Sequence, residues 1–244
     1  MLDDLTADYH RHNRFLLDTE LPHVDISSEE FSHICGLIVK YNVHSVVRIR
    51  HLHRHITVPE GHILLGTRIN KPFGYWIRPT PILDIDLHKI RPHILSVHEM
   101  DSTTEGRNTK ERLVPSEFRE GLPIDIDRNF LTEFANYVRK KSLENKFGLE
   151  AIEGHSKKMI EFSFDCGSIL LEENEVTPKI GEAGREFTLR DTSWTVTIKD
   201  DLVDQTGETR CLTYTTGHVK VTNEPAKSVS DVVNILRVDG FLVM

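Results

Sequence analysis

The chain has 244 residues, of which 38% are aliphatic or aromatic and 28% are charged, a composition typical of a folded globular protein rather than a disordered one. Its formal net charge of −8 at pH 7 disfavours non-specific binding to nucleic acid or to an anionic membrane. The length predicts a single domain over 1–244, or two lobes divided by the polar segment 101–112.

The compartment is inferred from cysteine usage and from the apolar runs. The cysteines, Cys35, Cys166 and Cys211, are far apart in the chain and form no C-x-x-C pair, which favours reduced thiols over a disulfide framework. No apolar run approaches the length of a transmembrane helix, and the acidic N-terminal residues do not resemble a secretory signal. These features predict a cytoplasmic protein.

The predicted elements begin with a helix over 28–41. Ser27 and Glu30 have capping-box spacing, and apolar residues then recur at helical spacing from Phe31 onward. Strands are predicted at 45–58, 62–69 and 94–100. Four prolines between 70 and 92 each remove a backbone donor, so this segment is expected to form loops and edge strands.

A second helix is predicted over 128–147, with Asp127 as its cap and Gly148 just past its end. Short apolar runs separated by turn residues then predict strands at 159–165, 168–172, 186–190, 193–199, 210–214 and 217–222. Ser230 is expected to cap a short C-terminal helix over 231–237. With no regular βαβ rhythm and no internal repeat in the sequence, the fold class is α+β: β-rich, with antiparallel or mixed sheets and two principal helices.

The segment VVRIRHLHRHITVPEGHILLG, residues 46–66, carries the strongest chemical signal. His51, His53 and His55 alternate along the predicted strand, so they are expected to share one face. Neighbours two residues apart lie roughly 6.6 Å apart along a strand, close enough for two imidazoles to lean onto one ion. The outer pair is about 13 Å apart on the same rise, so at most two of the three are expected to be ligands together.

The pattern His53-x-His55, then Glu60 and Gly66, resembles the first motif of the cupin superfamily: His-x-His, three or four residues, Glu, six residues and Gly. Here only five residues separate Glu60 from Gly66, and Val47 stands where the family has an earlier glycine. The resemblance implies an iron, manganese, nickel or zinc ion on these side chains, with a later histidine completing the site. The His-Arg-His strand is also similar to a segment of fungal proteins to which no function is attached.

The residues themselves also support a metal site, apart from the resemblance. Two imidazoles and one carboxylate form a 2-His-1-carboxylate set, which suits Fe(II) with open positions or Zn(II) with a bound water. The candidate ligands are His53, His55 and Glu60. Asp84 or Asp86, on a strand predicted within 82–93, is the alternative carboxylate, as ligand or as a group that orients an imidazole.

Other interpretations of the histidine strand remain open. The histidines could instead line a solvated sheet face or form hydrogen bonds within a polar core, and in a metal-free enzyme His51 or His53 would act as general base. Arg48 and Arg50 face the other way and, with Arg54, form a positive stripe. Such a stripe could bind an acidic substrate through bidentate contacts or pair with carboxylates of a neighbouring strand.

Together these features predict a small soluble enzyme whose chemistry gathers at residues 51–62 and acts on an oxygen-containing small molecule. The metal-dependent classes considered are oxidoreductase, isomerase and lyase, with one divalent transition metal, Fe, Mn or Zn. No nucleotide-cofactor motif is present. The alternative is a non-enzymatic binding or assembly protein that uses the His/Arg strand as a polar interface. A small-molecule ligand is expected, without nucleic acid or membrane as partner; the oligomeric state stays open.

Overall fold

The computed structural model describes residues 24–53, 55–98, 112–154, 157–176, 188–199, 202–214, 217–218, 221, 226 and 228–242. Arg54 and most of the polar segment 101–112 lie outside the described residues, as do parts of the strands predicted at 186–190 and 217–222. Within the described ranges, no helix has the length and apolar character needed to cross a membrane.

The described residues form three helices and eleven strands, so the β-rich α+β class is confirmed. The helices are α1 (Glu29–Lys40), α2 (Arg128–Lys140) and α3 (Val229–Val238). The strands are β1 (Val47–His51), β2 (His62–Asn70), β3 (Phe73–Pro81), β4 (Ile90–His98), β5 (Arg112–Glu120), β6 (Phe147–Ala151), β7 (Met159–Phe164), β8 (Gly167–Glu172), β9 (Thr188–Lys199), β10 (Leu202–Tyr214) and β11 (Gly217–His218).

Ten of these strands close into a barrel. Its order is β1-β6-β4-β5-β2-β3-β8-β7-β10-β9, and β9 pairs again with β1. The β2–β5 and β7–β10 pairs are parallel and the other pairs are antiparallel, so the sheet is mixed. Closure leaves the ring without an unpaired edge, and only the short β11 lies outside it, beside β10.

The barrel consists of two structurally equivalent halves, although the sequence shows no internal repeat. Helix α1 with β1–β5 and helix α2 with β6–β10 have the same order of elements, and exchanging the halves reproduces the ring. The registers agree as well: β9 pairs with β1 at Trp194–Ile49, and β4 pairs with β6 at Leu95–Leu149. Because β1 and β6 are antiparallel neighbours, their C-terminal ends point to opposite ends of the barrel.

The helix boundaries differ from the predicted ones at the caps. The hydroxyl of Ser28, not Ser27, accepts the Phe31 N–H at the start of α1. Helix α2 ends at Lys140 rather than 147, and Ser142 follows with a φ of +55°. Gly148 is therefore not a helix-terminal glycine but a residue of β6, where a Cβ would lie 2.5 Å from the Leu95 carbonyl oxygen.

Two strand predictions were wrong in ways that matter for the site. The strand predicted over 45–58 ends at His51, so the chain is free to turn immediately before His53. The segment 82–93 is not one strand, because Ile82–Asp84 form a 3-10 turn and β4 begins at Ile90. The prolines did not prevent a regular strand at 73–81, where Pro79 and Pro81 pair with Leu64 and His62.

The strands divide apolar and charged side chains between the two faces of the barrel wall. Val47 and Ile49 of β1 belong to the core that α1 and α2 cover from outside, and Phe162 and Ile169 belong to the core that α3 covers. Alternation therefore directs Arg48, Arg50 and the intervening polar positions inward. The interior accordingly holds buried charge: Arg48, Arg50, Arg91, Arg119, Glu117, Glu150 and Glu161 are each less than 9% exposed.

Candidate metal centre in the barrel

Four potential metal ligands meet inside the barrel. His53 and His55 follow the end of β1, Glu161 comes from β7 and Cys211 from β10. The parallel pairing of β7 and β10 places Glu161 directly opposite Cys211. One donor atom from each of the four residues lies within 4.8 Å of the others, so this group could hold a metal ion.

The separations between the donor atoms are those of one coordination sphere. The two imidazole Nε2 atoms are 3.0 Å apart. Nε2 of His55 lies 3.2 Å from Oε1 of Glu161 and 3.7 Å from Sγ of Cys211. A tetrahedral zinc ion with Zn–N near 2.0–2.1 Å and Zn–S near 2.3 Å requires about 3.3 Å between two light donors and about 3.6 Å between nitrogen and sulfur. The three separations from Nε2 of His55 lie within about 0.3 Å of these values.

Outer hydrogen bonds hold both imidazoles in the orientation that a ligand needs. Nδ1 of His53 donates to the His51 carbonyl oxygen at 2.9 Å, which leaves its Nε2 as the lone-pair atom. Nδ1 of His55 lies 2.6 Å from the Ser163 hydroxyl. Metal-binding histidines characteristically have such a partner on the outer nitrogen, because it fixes the tautomer and the ring plane.

The carboxylate of Glu161 is fixed in the same way. The hydroxyl of Ser168 donates to Oε1 at 2.8 Å, and Nη2 of Arg50 donates to Oε2 at 3.2 Å. Both bonds stabilise the ionised carboxylate, which is the form that binds a cation. The orientation of Glu161 is therefore set before any ligand arrives.

The electrostatics favour a positive charge at the meeting point of these donors. Burial opposes charge on Glu161, yet the neighbouring His55 and His53 and Arg50 hold the pKa of Glu161 well below its ordinary value. Burial likewise opposes charge on His55, but Glu161 and Cys211 raise the pKa of His55 to about 10. Burial, together with His55, lowers the pKa of His53 to about 4, so His53 stays neutral. The negative charge of the Glu161 carboxylate can thus be balanced either by a proton on His55 or by a bound metal cation.

A small cavity of about 40 Å³ adjoins the group. His53, His55 and Glu161 line it together with Arg50 and Glu117. Burial raises the pKa of Glu117 to about 7, against the opposing effect of Arg119 and Arg50. A carboxyl group with a pKa near neutrality can donate or accept a proton, as a general acid or base must.

The structure does not bring the predicted carboxylates to the histidines. Glu60 is exposed in the turn before β2, and Asp84 is exposed at the 3-10 turn. Asp86 is also exposed, where it pairs with Lys89 at 3.2 Å and accepts the His88 N–H. The carboxylate that joins His53 and His55 is Glu161, about a hundred residues farther along the chain.

The other predicted site residues lie on β1 but have different surroundings. His51 shares the face of Val47 and Ile49 and is 1% exposed, and burial lowers its pKa to about 3. Nη2 of Arg48 lies 2.5 Å from Glu150, and Arg50 pairs with Glu150 and Glu161. The predicted pairing of these arginines with carboxylates of neighbouring strands is the arrangement found, so neither guanidinium is free of carboxylate partners.

Glu161, Cys211 and Glu117 escaped the sequence analysis, though two of them carry a signal. Glu161 interrupts the apolar strand MIEFSF, and Glu117 stands within LVPSEF of β5. A lone carboxylate in an apolar strand is a sign of an interior polar contact. Cys211 carries no such sign, because a buried cysteine usually packs as a small apolar side chain.

Comparison with family models, with curated proteins and with solved structures found no match. The cupin resemblance of residues 53–66 is therefore neither supported nor opposed by relatives.

Proposed function

We propose that this protein is a metal-dependent enzyme that acts on an oxygen-containing small molecule inside the barrel. His53, His55, Glu161 and Cys211 would hold one divalent transition ion, with zinc, iron and manganese as candidates. The observation that carries the proposal is the pair of Nε2 atoms 3.0 Å apart, both aimed at the same carboxylate and both with Nδ1 engaged elsewhere.

The thiol gives a preference among the ions. Thiolate and imidazole together suit zinc or iron, whereas manganese prefers oxygen ligands. Burial raises the pKa of the Cys211 thiol, although His55 opposes this effect. The ion would therefore have to displace a proton from Cys211, so the affinity should increase with pH.

The adjoining cavity suggests how a reaction could use the centre. When bound, such an ion supplies a Lewis acid that polarises a carbonyl or hydroxyl oxygen. Glu117 lines the same cavity and is 6% exposed, so it could transfer a proton to or from a water molecule or the reacting group of a substrate that enters this space of about 40 Å³. Arg50 would keep Glu161 oriented and would offset the negative charge of Glu150.

The fourth donor supports a second function, a purely structural ion. Four protein ligands close a tetrahedral site, as in structural zinc sites, so catalysis would require the ion to bind only three of them or to accept the substrate as a fifth ligand. Such an ion would fasten the segment after β1 to β7 and β10. A non-enzymatic protein of this kind would differ from the predicted polar interface, because both ligand histidines have side chains less than 7% exposed.

Cobalt substitution tests the ligand set. Co(II) reports tetrahedral geometry in its visible absorption and a thiolate ligand in its near-ultraviolet charge-transfer band. The wild type and Cys35→Ser should show both bands, because Cys35 packs in the helix core, whereas Cys211→Ser should lose the thiolate band. A thiolate band that persists in Cys211→Ser would contradict the assignment of the fourth ligand.

Turnover tests the catalytic part. The metal-loaded protein should convert at least one compound from a panel of small hydroxy and oxo compounds, and the stripped protein should not. Glu117→Gln should bind the ion normally and lose about 10²-fold or more in turnover. If turnover persists in Glu117→Gln, this residue has no catalytic role. If X-ray absorption shows four protein donors and no water, and the panel shows no turnover, the structural function replaces the enzyme.

A further inference from the structure

A second cavity lies at the other end of the barrel interior and has ten times the volume of the first. It measures about 410 Å³, within the range of small-molecule sites. Residues 152–154 line it, and these follow β6 as Leu52 and His53 follow β1. The second cavity is thus the counterpart of the metal cavity in the duplicated fold, with Glu153 at the position of His53.

The walls of this cavity are strongly cationic for a protein of net charge −8. Four cationic side chains and one carboxylate line it: Arg48, Arg68, Arg119, Lys157 and Glu153. Carboxylates behind the wall neutralise part of this charge, since Glu150 pairs with Arg48 and Glu172 with Lys157. Glu117 likewise pairs with Arg119 at 3.3 Å, but Arg91 adds another guanidinium beside Glu153. Five cations therefore face four carboxylates, and positive charge remains in excess.

Arg68 is the cation best placed to receive a ligand. It is exposed, and no carboxylate among the described residues lies within ion-pair distance of it. Its guanidinium carbon lies 5.0 Å from the ring centroid of Phe73, and Lys157 lies 4.6 Å from the same centroid. Two cations therefore converge at one aromatic ring near the mouth of the cavity.

Deeper in the cavity, Arg119 is held rigidly. Its guanidinium carbon lies 3.9 Å from the Tyr75 ring centroid, and the Tyr75 hydroxyl donates to Glu153 at 2.6 Å. Arg119 is 4% exposed, and Nη1 lies 3.6 Å from Glu153. A guanidinium fixed in this way loses little conformational freedom when it binds an anion.

We propose that this second cavity binds a phosphorylated organic molecule. A phosphate monoester carries close to two negative charges and three acceptor oxygens, which matches several converging cations better than a single carboxylate does. The organic part would contact the apolar lining residues Phe73, Ile152, Met159 and Leu170. The site does not depend on the proposed metal centre, with which it shares no lining residue.

Calorimetric titration of the full chain with phenyl phosphate, inorganic phosphate and benzoate tests the proposal. Phenyl phosphate should bind more tightly than inorganic phosphate, because only phenyl phosphate uses the apolar wall, and more tightly than benzoate. Arg68→Gln should weaken phenyl phosphate binding at least tenfold, since a charge-assisted hydrogen bond is lost. Arg78→Gln is the matched control: Arg78 is an exposed arginine on β3 that lines neither cavity.

A further variant separates the two sites. The His53→Ala/His55→Ala protein should bind phenyl phosphate as the wild type does, because its changes lie in the other cavity. Loss of binding in that variant would show that phosphate binds at the metal centre and would overturn the proposal. Equal binding of benzoate, no binding of phenyl phosphate, or equal effects of Arg68→Gln and Arg78→Gln would overturn it as well.

Discussion

Glu150→Gln removes the carboxylate that two interior arginines share, and the structure sets the expected cost. Glu150 is 1% exposed; its Oε1 lies 2.5 Å from Nη2 of Arg48 and its Oε2 lies 3.6 Å from Nη1 of Arg50. His93 adds a contact of 3.3 Å from its Nε2 atom. The substitution keeps the shape of the side chain but leaves the guanidinium charges of the arginines without this buried partner.

The magnitude follows from burial rather than from the length of the ion pair. Breaking a buried pair by neutralising one partner costs about 3–5 kcal/mol, because an uncompensated charge stays buried. Lys40 and Glu133 form a pair of similar length, 2.6 Å, but their side chains are 55% and 39% exposed. Solvent screens exposed pairs of this kind, so Glu133→Gln should cost far less stability than Glu150→Gln, even with its Tyr41 hydrogen bond.

Urea unfolding at pH 7.5, followed by the fluorescence of Trp76 and Trp194, measures both variants against the wild type. The expected result is a loss of about 4 kcal/mol in the free energy of unfolding for Glu150→Gln and a much smaller change for Glu133→Gln. If Glu150→Gln costs less than about 1 kcal/mol, water screens the barrel interior and the buried ion-pair network does not stabilise the fold.

Three further predictions concern the interior, and one of them has a surface control. Glu117 has a folded-state pKa of about 7 against an ordinary value of 4.5, so its ionisation costs stability as pH rises through that interval. Glu117→Gln should therefore raise the unfolding free energy by about 3 kcal/mol at pH 8, and the gain should vanish near pH 4. A gain that did not change with pH would rule out this cause. Gly148→Ala should cost about 1–3 kcal/mol, because its Cβ would meet the Leu95 carbonyl oxygen at 2.5 Å. Gly36→Ala, on the exposed face of α1 with nothing within 4 Å, should instead stabilise by about 0.5–1 kcal/mol, and urea unfolding of both proteins checks the sign. If the metal ion is present at about 100 times its dissociation constant, removing it should lower the unfolding free energy of the wild type by about 2.7 kcal/mol. The stability of His53→Ala/His55→Ala should not change. Thermal unfolding of both proteins with and without chelator measures this difference.

Local patterns predicted the elements well where one physical signal dominates. The helix at 29–40 follows from a cap and a regular apolar stripe, and the strand at 62–70 from its apolar run between turn residues. The end of β1 could not be predicted, because the alternation of residues 47–57 continues past His51. Strand β1 ends where its pairing with β6 ends, at His51–Phe147. The start of β6 fixes this point, and residues 47–57 carry no sign of it.

The site was predicted only in the part that is local in sequence. His53 and His55 are two residues apart, so their proximity can be predicted from the sequence. Glu161 and Cys211 become neighbours through the parallel pairing of β7 with β10, and only the closed barrel brings that pair to the histidines. Glu60 was the nearest carboxylate in sequence, yet the turn that contains it is exposed.

The structural equivalence of the two halves could not be predicted from the sequence either. The equivalent positions share pairing and burial rather than residue identity: Arg48 corresponds to Gly148 and His53 to Glu153. Each half could therefore acquire a different interior. One end of the barrel has histidine and thiol donors, and the other has arginines.

The most direct test of the metal centre is elemental mass spectrometry of untagged protein purified without chelator. Three proteins should be compared: the wild type, His53→Ala/His55→Ala, and the control His33→Ala/His88→Ala, in which two exposed histidines are removed. A near-stoichiometric transition metal in the wild type and the control, and none in His53→Ala/His55→Ala, is the predicted result. A wild type that binds no ion even after reconstitution, or an equal metal content in all three proteins, would contradict the centre.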